Sequence, residues 1–267
     1  MKILALIGSY RKNGNTSQVV NLVCEALQAE ALQAEAARAG AALEIETLYL
    51  GHLDIGFCRC CRACFDRGEG KCPVKDDLLA VKAKMKAADG WLVATPVYVS
   101  DVSGITKNWI ARLSNVCHRP EFAGKRAYLL ATTGSTPAGH TLDTLAVALS
   151  TWGVHIVGKT GLKAGALMRG SEARTLCQAQ AQAIASKLFQ AIHQRKFARP
   201  SFRALITFKV QQRVWQRAPQ AETIDSVYWR EQGWTDPSCD FYIPHEASRL
   251  KVFLARLAGS LISPFVS

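Results

Sequence analysis

Along the first 195 positions, short apolar runs alternate with longer stretches of helical spacing. ILALIG (3–8) is apolar almost throughout, as in a strand buried on both faces of a parallel sheet. A helical stretch over about 15–39 follows. LEIETLYL (43–50) alternates and is rich in β-formers, and 75–88 returns to helical spacing. GWLVATP (90–96) is another apolar run; Pro96 is expected to stop it, leaving Val97–Ser100 as an exposed loop. GITKNWIARLSNV (104–116) reads as an amphipathic helix and KRAYLLATT (125–133) as a fourth strand. HTLDTLAVALSTWG (140–153) reads as a helix closed by glycine, VHIVGKT (154–160) as a fifth strand, and 171–194 as a further helix. This alternation predicts βαβ units, hence an α/β fold with a parallel sheet and helices on both faces. The repeat ALQAEALQAEAARAG (26–40) is made of strong helix formers and lengthens the first helix until Gly40.

The rhythm stops near residue 195. RKFARPSFRALITFKVQQRVWQRAP (195–219) is basic and aromatic, and DSVYWREQGWTDPSCDFY (225–242) is aromatic and turn-rich. EASRLKVFLARLAGSLISPFV (246–266) has the spacing of an amphipathic helix. Two units follow: residues 1–195 as the α/β domain and 196–267 as a C-terminal extension. Leu250, Phe253, Leu254, Leu257 and Leu261 recur at helical spacing, with Arg249, Lys251 and Arg256 alongside. Such a stripe is expected to pack on its own protein or on a second subunit. A membrane surface is the lesser alternative.

Composition narrows the function classes. With 49% apolar and 20% charged residues in 267, the chain has the balance of an ordinary globular protein with a sizeable core. Its net charge of +12 is scattered among acids, without a dense basic and aromatic tract in the first 195 residues. No nucleic-acid partner is therefore expected. No apolar run approaches the length of a membrane span, and MKILALIGSY opens on a strand rather than a signal peptide. A cytoplasmic protein is expected, and clustered thiols there suit metal or redox work better than staples.

The first strand runs into GSYRKNGNTS (8–17), which opens the first helix. Helix N-termini beyond strand ends bind phosphate, because their first amides lack helical partners and carry partial positive charge. The side chains of Ser9, Asn15, Thr16 and Ser17 can add hydrogen bonds. Gly8 and Gly14 are one residue too far apart for a P-loop, and Asn15 stands where its lysine belongs. A G-x-G-x-x-G fingerprint is absent from the loop, so a standard NAD-binding first loop is disfavoured.

CRCCRACFDRGEGKC (58–72) holds five of the nine cysteines. Cys58, Cys61 and Cys64 form two successive C-x2-C steps, and Cys72 precedes Pro73. Ferredoxin-type cluster runs share that core and a proline after the fourth cysteine. Zinc sites more often use two separated pairs. A [4Fe-4S] cluster, zinc, and free or paired thiols all remain open on spacing. Cys60 lies off the pattern, and Cys24, Cys117, Cys177 and Cys239 read as ordinary cysteines.

Four motifs in order resemble the flavodoxin-like NAD(P)H-dependent FMN reductase family, in its iron–sulfur flavoprotein branch. GSYRKNGNTS is similar to the family's FMN-phosphate loop, with Tyr10 where proline is common. TPVYVSDVSGITKNWIAR (95–112) is similar to its second flavin loop, and ATTGSTPAGH (131–140), more loosely, to its third. The cysteine segment CRCCRACFDRGEGKCPVKDDL (58–78) resembles the family's own. Two departures are Ala111-Arg112 in place of Asp-Arg, and His140 after Gly139 in place of Gly-Gly.

The resemblance covers roughly residues 1–195. It implies a five-stranded doubly wound sheet of order 2-1-3-4-5, FMN as cofactor, and a homodimer or homotetramer. The candidate FMN residues are Ser9, Arg11, Asn15, Thr16, Ser17, Pro96, Val97, Tyr98, Val99, Ser100, Thr132, Thr133, Gly134 and Ser135. Tyr98 would stack on the flavin, the 97–99 amides would reach its polar rim, and 132–135 would close the opposite side. Cys58, Cys61, Cys64 and Cys72 are the candidate cluster ligands. No acid–base catalyst is expected, with His118 and His140 read as structural or surface residues. The implied function is an FMN-dependent oxidoreductase or electron-transfer flavoprotein. NAD(P)H or a reduced carrier would be the donor, and a small molecule or protein the acceptor. A cluster-free NAD(P)H:FMN or quinone reductase is the first alternative, and a flavin-free binding protein with a partner- or membrane-contacting tail the second.

Overall fold

Strand β1 (Lys2–Ile7) is an interior strand of the sheet, with Ile3 to Ile7 wholly buried. Its side chains alternate between two cores. Leu4 and Leu6 enter one, Ile3, Ala5 and Ile7 the other. Parallel strands β2 (Glu44–Tyr49) and β3 (Gly90–Tyr98) flank it, in register at Lys2↔Glu44 and Ile3↔Gly90. Strands β5 (Arg126–Thr133) and β6 (His155–Lys163) complete a parallel sheet of order β2-β1-β3-β5-β6. Two-residue β4 (Asp101–Val102) pairs antiparallel with the end of β3. Leaving that hairpin aside, the order is the expected 2-1-3-4-5. The computed structural model describes residues 1–36, 42–164, 171–194, 199–217 and 223–265. The expected helix stop at Gly40 and the 195/196 boundary lie outside these residues.

Helices cover both faces. Helix α1 (Asn15–Ala36) buries Val19, Val20, Val23 and Leu27, and α6 (Ser171–His193) buries Ile184, Leu188 and Ile192, on one face. Opposite, Val81 and Met85 of α3 (Leu78–Ala87), Trp109 of α4 (Gly104–Arg112) and Leu145 and Leu149 of α5 (Gly139–Thr151) share the second core. Trp109 meets Trp152 edge-on at 5.2 Å, and Trp152 packs on Phe122. A four-residue helix, α2 (Ala63–Asp66), lies inside the cysteine segment.

Pro96 does not end β3. The strand runs on to Tyr98 because Val97 and Tyr98 pair with Val102 and Asp101 in the hairpin. Proline is tolerated in the strand, since Pro96 still sits in register with Thr132 of β5.

The extension is helical beyond its last segment. Helices α7 (Phe202–Arg217) and α8 (Ile224–Glu231) occupy the stretches read from the sequence only as basic and aromatic or turn-rich. Their buried faces include polar groups: Lys209 and Gln212 beside Leu205 and Phe208 in α7, Asp225 and Ser226 beside Trp229 in α8. Gln212 Nε2 lies within hydrogen-bonding distance of the carbonyls of Trp234, Asp236 and Cys239 at 2.8–2.9 Å, which holds the 234–239 turn onto α7. Trp229, Trp234, Tyr242 and Phe208 form the extension's core. Trp229 Nε1 donates to the His118 carbonyl at 2.7 Å, and Gln211 Nε2 to the Cys117 carbonyl at 2.6 Å, docking the extension on the α/β unit.

Helix α9 (Arg249–Ile262) packs on α7 through Val252, Ala255 and Gly259. A side chain at Gly259 would meet Lys209 Cβ at 2.7 Å, so this crossing needs glycine. Of the two expectations for the stripe Leu250, Phe253, Leu254, Leu257 and Leu261, packing on its own chain is not what the structure shows: the stripe is exposed. Small residues permit the close crossing, and the large ones are left outside. Among the described residues no helix is long and apolar enough to cross a membrane.

Replacing Trp229 with alanine removes a fully buried ring and its bond to the α/β unit. The expected loss is about 3–5 kcal/mol in urea unfolding followed by circular dichroism. A loss below about 0.5 kcal/mol would show that α8 adds nothing to the stability of the whole.

Candidate functional site

The C-terminal ends of β1, β3 and β5 lie side by side, through Ile7↔Ala94 and Pro96↔Thr132. Three loops therefore meet at one edge of the sheet. Open α/β sheets take ligands at this edge, where the strand order reverses direction between β1 and β3.

The first loop approaches the second without a gap. Gly8 N donates to the Ala94 carbonyl at 2.7 Å. A Cβ at Gly8 would fall 1.8 Å from Thr106 Oγ1, so no side chain fits there. Ser103 Oγ donates to the Gly8 carbonyl at 2.7 Å and lies 2.8 Å from Thr106 Oγ1, which is 3.2 Å from Thr95 Oγ1. Thr95, Ser103 and Thr106 thus wire the first loop to the second. The sequence reading passed over Ser103 and Thr106, although the Ser-x-x-Thr spacing at the start of α4 is a capping signal.

The candidate phosphate-loop residues divide into two groups. Ser9 and Asn15 are half-buried and Arg11 is exposed, with Ser9 Oγ accepting from the Arg11 amide at 3.1 Å. Thr16 and Ser17 are buried. Ser17 Oγ donates to the Arg11 carbonyl at 2.7 Å, and Thr16 Oγ1 sits 2.6 Å from Thr132 Oγ1. Ser17 gives its only hydroxyl proton to the loop here, so this hydroxyl shapes the turn. Thr16 links the first loop to the third.

The second loop is a strained hairpin. Val99 (φ 48°) and Ser100 (φ 63°) are both left-handed, as a two-residue turn of this kind requires. A β-branched residue there is an outlier, and such strain collects at functional sites. Val99 is fully exposed and Tyr98 59% exposed, while Pro96 and Val97 are half-buried. In the third loop Thr132 and Thr133 are buried, whereas Gly134 and Ser135 are exposed. Thr141 Oγ1 donates to the Ser100 carbonyl at 3.2 Å, tying α5 to the hairpin. His140 is largely exposed, 3.8 Å from Asp101. The loops thus offer a helix N-terminus, polar loop side chains and an exposed aromatic ring around one edge. That set fits a flat aromatic cofactor carrying a phosphate.

The cysteine segment hangs from a tied neck. Asp54 N donates to Asp77 Oδ2 at 2.8 Å, and Asp77 N to the Asp54 carbonyl at 2.9 Å. Gly56 N donates to Asp76 Oδ2 at 2.9 Å, and Arg112 Nη1 to the Gly56 carbonyl at 2.7 Å. Arg112 and Asp76 form a buried ion pair. Asn108 Nδ2 lies 3.1 Å from the Ile55 and Gly56 carbonyls, and its Oδ1 accepts from the Cys58 amide. Burial alone would raise the Asp76 carboxyl. Arg112 and the Leu78 and Gly56 amides outweigh burial and hold it below its ordinary range.

Below the neck, Arg119 Nη2 donates to the Cys64 carbonyl at 2.7 Å. Arg119 also pairs with Asp225 of α8, which lies 2.8 Å from His118 Nδ1. The ring of Phe65 meets that of His118 at 4.8 Å. His118 is therefore structural, and the extension props the cysteine segment from beneath.

All described cysteines are free. Cys58, Cys64 and Cys72 are half-buried, while Cys60 and Cys61 are exposed. Burial pushes the Cys64 thiol up, and neighbouring Cys72 and Cys58 add to it. A cavity of about 120 Å³ is lined by Cys64, Cys72, Lys82 and Arg112. Among the described residues no three His, Cys, Asp or Glu side chains are gathered as a metal ion needs.

Residues 1–167 match the family model described as NADPH-dependent FMN reductase. An iron-sulfur flavoprotein from Archaeoglobus fulgidus is 29% identical over 125 residues, covering 47% of this chain and 51% of that protein. The chain thus spans about half the length of that relative. An iron-sulfur flavoprotein from Methanosarcina thermophila is 29% identical over 192 residues, covering 70% of this chain and 93% of that protein. The crystal structure of RosB with bound 8-demethyl-8-formylriboflavin-5'-phosphate aligns with a TM-score of 0.55 at 15% identity. That alignment covers 93% of this chain and 92% of RosB, so the likeness in fold reaches into the extension.

Arg112→Ala leaves the Asp76 carboxylate buried and unpaired, and should cost about 3–5 kcal/mol in urea unfolding. The folded Asp76 carboxyl lies below its unfolded value, so its contribution is complete above that value and lost as pH falls. Calorimetric Tm should therefore drop as pH is lowered below about 4, and Asp76→Asn should flatten that limb.

Proposed function

The chain belongs to the NADPH-dependent FMN reductase family, and on that premise we propose that it is an FMN-dependent oxidoreductase or electron-transfer flavoprotein. The observation that carries this reading is the meeting of the 8–17, 95–103 and 132–138 loops at one sheet edge. Helix α1 would hold the phosphate with its first-turn amides, helped by Ser9, Arg11 and Asn15, inside a loop shaped by Thr16 and Ser17. Tyr98 and Val99 would form one wall for the ring, with Pro96, Val97 and Ser100 presenting backbone groups to its polar edge. Thr132, Thr133, Gly134 and Ser135 would border the other side. When bound, FMN supplies the two-electron redox chemistry. The protein binds and orients it, and no side chain is assigned a proton-transfer role. A nicotinamide donor, a small-molecule or protein acceptor, a cytoplasmic location and a homo-oligomer complete the reading.

Cys58, Cys61, Cys64 and Cys72 would hold a [4Fe-4S] cluster. Their spacing and the cavity lined by Cys64 and Cys72 support this assignment. The second reading is a reductase of NAD(P)H:FMN or quinone type whose cysteines hold nothing. The outward position of Cys61 favours it.

Anaerobic purification with an absorption spectrum and iron and sulfide assays separates the two. A yellow, iron-free protein with intact thiols keeps FMN, removes the cluster and leaves the second reading, and failure to take up FMN overturns both. Ser9→Asp places a negative charge beside the proposed phosphate without burying it. FMN affinity measured by fluorescence quenching should fall at least about tenfold, while unfolding stability stays within about 0.5 kcal/mol. Unchanged affinity would remove the phosphate from this loop.

A further inference from the structure

Helix α9 points its large apolar side chains away from the protein. Phe253 is 64% exposed, Leu257 51% and Leu261 66%. Leu250 and Leu254 complete the stripe, and Phe265 continues it. At 3.6 residues per turn, Arg249 and Arg256 border the stripe on one side and Lys251 on the other. Lys251 donates to the Pro200 carbonyl, and Arg256 to the Pro237 and Cys239 carbonyls, which orients these side chains and leaves their charge in place. Among the described residues no carboxylate pairs with any of the three. From Ala247 to Ser267 the sequence has no Asp or Glu. Beneath α9, burial pushes Lys209 down to about 8, with Arg256 and Arg213 acting in the same direction, so the local field is positive.

The sign of this field selects the occupant. A second copy docked by two-fold symmetry would set the stripe against itself and its cationic borders near one another, with no acid on α9 itself to neutralise them. A straight helix of this length lies flat, and an apolar face with basic borders fits the headgroup region of a bilayer. Acidic headgroups supply the missing negative charge. We propose that the exposed face of α9 docks on an anionic lipid surface, with its leucines and phenylalanines entering the headgroup boundary and Arg249, Lys251 and Arg256 facing acidic headgroups. This contact is peripheral and independent of the redox reading.

The test is co-sedimentation of the full chain with vesicles of phosphatidylcholine alone and of phosphatidylcholine with phosphatidylglycerol. The protein should pellet with the second and stay in the supernatant with the first. The double variant Phe253→Asp, Leu257→Asp should abolish pelleting with unchanged circular dichroism. Arg249→Glu alone should lower the bound fraction at least about fivefold, and it decides the matter if the double variant fails to fold. No pelleting with phosphatidylglycerol overturns the proposal, as does equal pelleting with both vesicles. A dimer in light scattering that Leu257→Asp dissociates, without pelleting, assigns the face to a second copy and overturns it equally.

Discussion

Burial of β1 on both faces is the constraint on which the rest of the structure depends. A parallel strand covered by helices above and below has only its ends left for chemistry. The connections after β1, β3 and β5 therefore open at the same edge, within hydrogen-bonding distance of one another. Thr16 meets Thr132, and Ser103 reaches the Gly8 carbonyl, because the register of the sheet brings their strands' ends level. The backbone at Gly8 has no room for a side chain for the same reason. The site is thus a consequence of sheet packing before it is a set of residues.

The cysteine segment obeys a different logic. It has few apolar contacts of its own and is shaped by charged and polar ties at both ends. The Arg112–Asp76 pair closes its neck, and the Asp225–Arg119 pair reaches from the extension to the Cys64 carbonyl. Buried pairs of this sort are costly to break singly, which makes them positional devices rather than large sources of net stability. The extension therefore does more than lengthen the chain. It supports, from α8, the loop that carries five thiols.

Much of this was legible along the chain. Strand and helix order followed from apolar period alone, and the phosphate loop from small and polar residues placed after β1. The FMN family was legible from four motifs in sequence. Three readings changed in space. Pro96 lies within β3 because the hairpin with β4 prolongs the strand. The 195–242 stretch holds helices whose inward faces mix apolar Leu205, Phe208 and Trp229 with Lys209, Gln212 and Asp225, which are buried through specific partners. Ser17 reads as a ligand donor until the Arg11 carbonyl is seen to take its proton.

The sequence by itself determined the α/β class, the succession of strands and helices along the chain, the cysteine spacing and the amphipathic character of residues 246–266. Each is a property of local period or local backbone chemistry. Only the tertiary structure decided which face of α9 is turned outward, which hydroxyls are engaged, and that the extension braces the cysteine segment. Those depend on contacts between residues more than a hundred positions apart, such as His118 and Asp225. A stripe of leucines announces an apolar face, but the small residues Val252, Ala255 and Gly259 allowed the opposite face to pack closest.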